Sequence, residues 1–344
     1  MPRQSVSPSS RDRDESEPRR ETTAMSKRVL LTRRMPQAAR EALIAAGLTV
    51  DVFEGDDPPT RAELIERARG CAGLITMLSD KVDGEFLDAA GPDLKIVANY
   101  AVGFDNIDLD ACRTRGIRAS NTPGVLTETT ADLAWTLILA AARHAGEGDR
   151  VMRSGTWQGW EPLQLLGLEL SGATLGILGA GRIGAAVARR STGFRMKILY
   201  TDTRANEELE REIGAQHVEF DRLIAEADVL SLHIPLTPEA RHLVGEPQFK
   251  AMKPTAVLVN TARGPIVDEA ALVIALQTGE IAAAGIDVYE YEPRMTPGLA
   301  DLPNAVLLPH LGSATTVTRG KMAAMAAENV VAVLAGNEPP NAVA

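Results

Sequence analysis

Apolar runs of three to five residues alternate with stretches of helical period along most of the chain. Val29-Leu30-Leu31, Val50-Asp51-Val52-Phe53, Gly73-Leu74-Ile75-Thr76-Met77 and Lys95-Ile96-Val97-Ala98-Asn99 read as strands, with a further strand near Ile117-Arg118-Ala119. Helices are expected between them at 37–46, 61–68 and around 86–90. Short β-rich runs separated by helices indicate a parallel sheet covered on both faces. Asn121-Thr122-Pro123-Gly124 interrupts the rhythm and marks a crossing between domains. The stretch 126–144 then reads as one long helix. It is apolar around so much of its circumference that deep burial is expected, part of it as a subunit interface with the Trp-rich loop Trp157 to Pro162. Alternation resumes with strands at 173–178, 197–201, 217–219, 229–232, 256–260, 283–288 and 305–308. Helices are expected at 205–213, 221–225, 238–243, 246–252, 269–276 and 315–334, the last returning to the first domain.

One junction in this pattern carries chemistry. Ala173-Thr174-Leu175-Gly176-Ile177-Leu178 runs straight into Gly179-Ala180-Gly181-Arg182-Ile183-Gly184, and an alanine-rich helix start follows. Gly179 permits the tight turn, Gly181 lets bare backbone approach a pyrophosphate, and Gly184 lets the helix pack close on the strand. The free N–H groups of the helix N-terminus face the phosphates. The next strand ends on Asp202, near the ~20-residue offset at which an acidic side chain accepts from the adenosine ribose hydroxyls. A carboxylate there, followed by Thr203, repels a 2′-phosphate, so NAD is the expected cofactor and NADH is preferred. Arg182 and Arg204 leave NADPH possible. His233 and Pro235 leave the end of the 229–232 strand, where adenine or the cofactor backbone lies.

At 344 residues and 45% hydrophobic content the chain exceeds what one core usually holds. The fold class expected is α/β, with two doubly wound parallel-sheet domains: a flavodoxin-like substrate domain over 25–122 and a Rossmann NAD(P)-binding domain over 123–312. The helix at 313–336 packs back on the former. Residues 1–24, nearly without apolar side chains, are expected to form a disordered tail, with the functional chain starting at Met25. Cys71 and Cys112 lack C-x-x-C or zinc spacing, so neither a disulfide framework nor a metal site is expected. A net charge of −10 argues against nucleic-acid binding. No apolar run reaches membrane-spanning length and no signal-peptide pattern opens the chain, so a soluble cytoplasmic protein is expected.

Three ionisable residues, Arg263, Glu292 and His310, each fall just past the carboxyl end of a different strand, at the sheet edge where the nicotinamide is expected. Reduction of a 2-oxo acid needs a proton donor for the new alkoxide, a cation for the substrate carboxylate and a group that keeps the donor protonated. Histidine titrates near neutrality and suits the first role, which assigns His310. Glu292 beside it favours the imidazolium, and the planar fork of Arg263 matches a carboxylate. Asp287 can accept from the nicotinamide carboxamide. In the first domain the loops after the third and fourth strands, including Leu78 and Gly103, are placed to meet the substrate, with Gly103 offering backbone N–H groups.

From Met25 to the C-terminus the chain resembles the D-isomer-specific 2-hydroxyacid dehydrogenases, most closely the glyoxylate/hydroxypyruvate reductases. The resemblance rests on 99–108 (NYAVGFDNID), 179–184 (GAGRIG), 260–264 (NTARG), 287–293 (DVYEYEP) and 309–314 (PHLGSA). It implies Arg263, Glu292 and His310 as catalytic residues, and a substrate-carboxylate loop at Val102 and Gly103. It also implies cofactor contacts at Ala180 to Ile183, Asp202 to Arg204, Thr261, the adjoining Ala262, and Gly312. Further implications are a homodimer, with Trp160 resembling a tryptophan that reaches across it, and a cleft that closes between the domains. NADPH-using reductases of this kind tend to carry Ser-Arg where this chain has Asp202-Thr203. No regulatory domain follows the last helix, which argues against serine feedback. The resulting expectation is NAD(P)H-dependent reduction of glyoxylate or hydroxypyruvate to the D-2-hydroxy acid. D-3-phosphoglycerate dehydrogenase and 2-ketogluconate reductase are the alternatives, with an NAD-sensing corepressor-like protein more distant.

Overall fold

The computed structural model describes residues 27–344, so the expected tail at 1–24 and the start at Met25 lie outside the described residues. The first lobe contains β1 (Arg28–Leu31), α1 (Gln37–Ala45), β2 (Thr49–Val52), α2 (Arg61–Ala68), β3 (Gly73–Thr76), α3 (Gly84–Ala90), β4 (Ile96–Asn99), α4 (Leu109–Thr114) and β5 (Arg118–Ser120). After α5 (Thr127–Ala142) and α6 (Ala145–Ser154) the second lobe begins with β6 (Thr174–Leu178), α7 (Arg182–Arg190), β7 (Lys197–Thr201), α8 (Glu207–Ile213) and β8 (Gln216–His217). It continues through α9 (Phe220–Glu226), β9 (Val229–Leu232), α10 (Glu246–Ala251), β10 (Val257–Asn260), α11 (Glu269–Thr278), β11 (Ala283–Ile286) and β12 (Ala305–Leu307), and α12 (Thr316–Leu334) closes the chain.

The strands form a five-stranded sheet, order β2-β1-β3-β4-β5, and a seven-stranded sheet, order β12-β11-β10-β9-β6-β7-β8. Each is parallel throughout and doubly wound. Every residue of β3, β4, β9, β10 and β11 is buried, because helices cover both faces of each sheet. Helix starts are set locally. Asp83, Asp108, Asn206, Asp268 and Thr315 each accept from the N–H three residues on, a cap worth ~1 kcal/mol apiece. Two apolar clusters fill the faces of the larger sheet, one of them built on α5. Gly285 makes that packing possible, since a Cβ there would lie 2.8 Å from Leu137 Cβ. Trp135 anchors α5 by donating to the Val187 carbonyl at 2.9 Å and stacking on Phe194.

α12 lies against the first sheet, where Ala323, Ala326, Ala327 and Val330 join Val29, Leu31, Ala39 and Leu43 in one cluster. Beyond it the last residues pair with β5, Ser120 bridging Ala342 and the Ala119 N–H donating to the Ala344 carbonyl. Short polar periodicity did not reveal this edge pairing. Two local expectations are corrected. Residues 238–243 form turns rather than a helix, since His242 sits at φ 52° and its N–H donates to the Pro265 carbonyl. The helix expected to reach His144 stops at Ala142, where His144 at φ 51° redirects the chain into α6, a helix whose two glycines hide it from propensity.

Candidate active site

The carboxyl ends of the two sheets enclose a cavity of about 510 Å³. Its walls include Leu78, Val102, Gly103 and Asp105 from the first lobe and Gly181, Arg182, Ile183, Thr261, Arg263 and His310 from the second. On the larger sheet the cavity opens between β6 and β9, where successive strands depart in opposite directions and leave a crevice.

The glycine turn after β6 is shaped by what glycine alone permits. Gly179 has φ 95°, and a Cβ on it would lie 2.8 Å from the His233 carbonyl carbon; one on Gly184 would lie 1.9 Å from the Gly179 oxygen. A Cβ on Gly181 would meet no protein atom within 4 Å, so the space over it is open to a ligand. The Ala180 peptide is gripped from both sides: Asp202 Oδ2 accepts from its N–H at 2.7 Å and Asn206 Nδ2 donates to its carbonyl at 2.8 Å. Asp202 Oδ1 accepts from the Thr203 N–H at 2.6 Å. Asp202, Thr203 and Arg204 therefore stand beside the turn at the end of β7 rather than on the cavity wall. His233, Pro235, Ala262 and Gly312 line it. Burial pushes the His233 imidazole down to about 3, so it contributes a neutral ring, held 2.8 Å from Ser231 Oγ. The Thr261 hydroxyl is buried without a protein partner, which a polar ligand group would satisfy. An open Gly181, an orphaned Thr261 hydroxyl and a helix N-terminus together fit a dinucleotide.

Arg263 and His310 face this cavity, and Glu292 stands behind His310. His310 Nδ1 lies 3.1 Å from Glu292 Oε2, while Glu292 Oε1 accepts from the Tyr289 N–H at 3.0 Å. Burial raises the Glu292 carboxyl, but the His310 hydrogen bond and charge, the Tyr289 N–H and the Arg263 charge outweigh it, leaving the group below the ordinary glutamate range. Asp287, which also lines the cavity, is engaged from within the protein. Its buried carboxylate accepts from the Leu311 and Gly312 N–H groups at 2.6 and 2.9 Å, and its carbonyl accepts from the His310 N–H at 2.9 Å. It fixes the turn that presents His310. Burial pushes this carboxyl up to about 6, against those N–H groups and the nearby imidazole.

The first-lobe wall is equally pinned. Asn99 Nδ2 donates to the Gly103 carbonyl and to Asn106 Oδ1, and Asn106 Nδ2 donates to the Met77 and Asp80 carbonyls. The buried Asp80 carboxylate accepts from the Met77 N–H and the Thr32 hydroxyl, fixing the loop that carries Leu78. Several wall residues have no role in the sequence expectations, Asp105, Thr130 and Met322 among them. Asp105 lay within a quoted motif but was assigned no role, whereas Thr130 and Met322 reach the wall from the helices α5 and α12 and carry no sequence signal. Among the described residues no cluster of three or more His, Cys, Asp or Glu is arranged to hold a metal ion, and no helix is long and apolar enough to cross a membrane.

The chain is similar to known proteins over most of its length. Residues 135–312 match the D-isomer specific 2-hydroxyacid dehydrogenase NAD-binding domain. The glyoxylate reductase of Korarchaeum cryptofilum is 49% identical over 322 residues, covering 93% of this chain and 96% of that protein. A crystal structure of a Thermus thermophilus protein superposes with a TM-score of 0.86 at 48% identity, over 92% of this chain and 100% of that one. The NADPH-dependent glyoxylate/hydroxypyruvate reductase of Sinorhizobium meliloti, in complex with NADP and malonate, gives 0.80 at 35% identity over 92% and 97%.

Proposed function

We infer the reaction from one premise: the chain belongs to the D-isomer specific 2-hydroxyacid dehydrogenase family and is an NAD(P)-dependent oxidoreductase for glyoxylate- or hydroxypyruvate-type substrates. In our reading it reduces glyoxylate or hydroxypyruvate to glycolate or D-glycerate. The observation that carries this is the His310–Glu292 pair at 3.1 Å on the cavity that Arg263 also lines. Bound reduced nicotinamide supplies the hydride. Arg263 holds the substrate carboxylate, helped by N–H groups of the Val102–Gly103 loop, and Leu78 bounds the small substituent. With Nδ1 turned to Glu292, His310 offers Nε2 to the carbonyl oxygen and delivers the proton as charge develops there. Glu292 keeps the ring oriented through its contact with Nδ1. Asp287 serves by holding the His310 turn.

For the cofactor, the reading is NADH over NADPH, since the Asp202 carboxylate at the end of β7 would repel a 2′-phosphate. The Gly179–Gly184 turn, His233, Pro235, Thr261, Ala262 and Gly312 complete the nucleotide site. The two lobes act as substrate and cofactor domains over 25–122 and 123–312, with α12 closing the former. A homodimer in the cytoplasm, binding no nucleic acid, completes the proposal. The apolar surface carried by Met152, Trp160, Leu163 and Leu166, each more than half exposed, supports self-association. A panel of 2-oxo acids assayed with both reduced cofactors tests the reading. Turnover of glyoxylate and hydroxypyruvate with NADH is expected; consumption of neither acid with either cofactor would overturn it.

A further inference from the structure

The two walls of the cavity are joined by a contact that the reaction scheme above does not use. Arg263 Nε donates to Asp105 Oδ1 at 3.0 Å, although 158 positions separate them and they belong to opposite lobes. Among the described residues this is the one ion pair that joins the first lobe, with α12, to the second. The two Nη atoms are placed as well, though not all their N–H groups are used. Nη1 donates to the Ala262 carbonyl at 2.8 Å, and Nη2 lies so close over Gly103 that a Cβ there would sit 1.6 Å from it. Asp105 itself rides on a loop whose neighbours are fixed, Gly103 by Asn99 and Asn106 by the Met77 and Asp80 carbonyls.

An arginine side chain has many rotamers, and ordering it when the substrate arrives costs affinity. A carboxylate that takes the Nε edge in advance removes that cost and leaves an Nη edge for an incoming carboxylate. We propose that Asp105 is a positioning residue for Arg263: from the opposite wall it holds the guanidinium by Nε, so that drawing the lobes together sets the carboxylate clamp. This rests on the reductase reading for its substrate, but the pairing itself is a property of the protein alone. Asp105 does not touch the reacting atoms in this scheme; it acts through Arg263.

Asp105→Asn keeps an acceptor and loses the charge, and Asp105→Ala loses both. KM for glyoxylate is expected to rise by roughly tenfold in the first and up to ~10² in the second, because small misplacement of a clamp costs that much. NADH affinity, read by fluorescence, stays at the wild-type value, which separates loss of the clamp from general damage to the fold. The Arg263 Nε–Hε signal, identified by its loss in Arg263→Lys, should move in both variants. If wild type reduces glyoxylate and both variants keep its KM, the positioning role is overturned while the reductase reading stands. If wild type reduces no 2-oxo acid, the reductase reading falls, and an Nε–Hε signal unmoved by Asp105→Asn then overturns the pairing as well. A shifted signal with raised KM and unchanged NADH affinity supports it.

Discussion

His310 holds its Nδ1 3.1 Å from Glu292 Oε2 while its own backbone sits at φ 55°, a left-handed conformation uncommon for a residue with a side chain. Asp287 keeps the turn closed by accepting from the Leu311 and Gly312 N–H groups at its carboxylate and from the His310 N–H at its carbonyl. Backbone strain of this kind persists where surrounding structure over-determines it, and such positions cluster at working sites. Here it aims the imidazole into the cleft with one nitrogen already occupied.

Replacing His310 with Gln removes the proton donor and leaves the nucleotide crevice untouched. A fall of ~10²–10⁴ in kcat is expected, with NADH affinity unchanged. Steady-state kinetics beside a fluorescence titration check it, and near-normal kcat would exclude His310 as the acid.

The Glu292 carboxylate stands 3.1 Å from His310 Nδ1 and fixes the ring, so kcat for glyoxylate should fall in Glu292→Gln. The carboxyl itself lies below its ordinary value, so it contributes stability above the ordinary glutamate range and loses it as pH falls through the lowered value. Acid denaturation of the Gln variant should therefore be less steep on that side, which chemical denaturation at several pH values measures.

Asp202 accepts from the Ala180 and Thr203 N–H groups and places its charge beside the glycine turn. Asp202→Ala should weaken NADH several-fold and narrow the gap to NADPH. Dissociation constants for both cofactors decide this; a wild type that already favours NADPH strongly would contradict the role given to the carboxylate.

Gly103→Ala and Gly264→Ala are expected to part company. At Gly103 the added methyl meets the end of the flexible Arg263 side chain at 1.6 Å, so the arginine moves, the fold stays and KM for the oxo acid rises. At Gly264 it meets the Tyr289 carbonyl carbon and oxygen at 1.9 Å, backbone that cannot turn aside. A stability loss of about 1–3 kcal/mol or more follows. Thermal melting should drop in the second variant alone.

The parallel alternation, the glycine turn, Asp202 and the three ionisable strand ends were readable because each is encoded locally: strand length, turn stereochemistry and residue type lie within a few positions of one another. Elements such as α6 and the pairing of β5 with Ala342 were not, since glycines mask one and the partner of the other is more than two hundred residues away. The sequence by itself determined which chemical groups the chain owns and which strand end carries each. Only the tertiary structure decided that Asp105 meets Arg263 across the cleft, that Asp287 spends its carboxylate on the His310 turn, and that Met322 reaches the cavity. These depend on how two independently wound sheets face one another, and the packing of distant surfaces leaves no period in the chain.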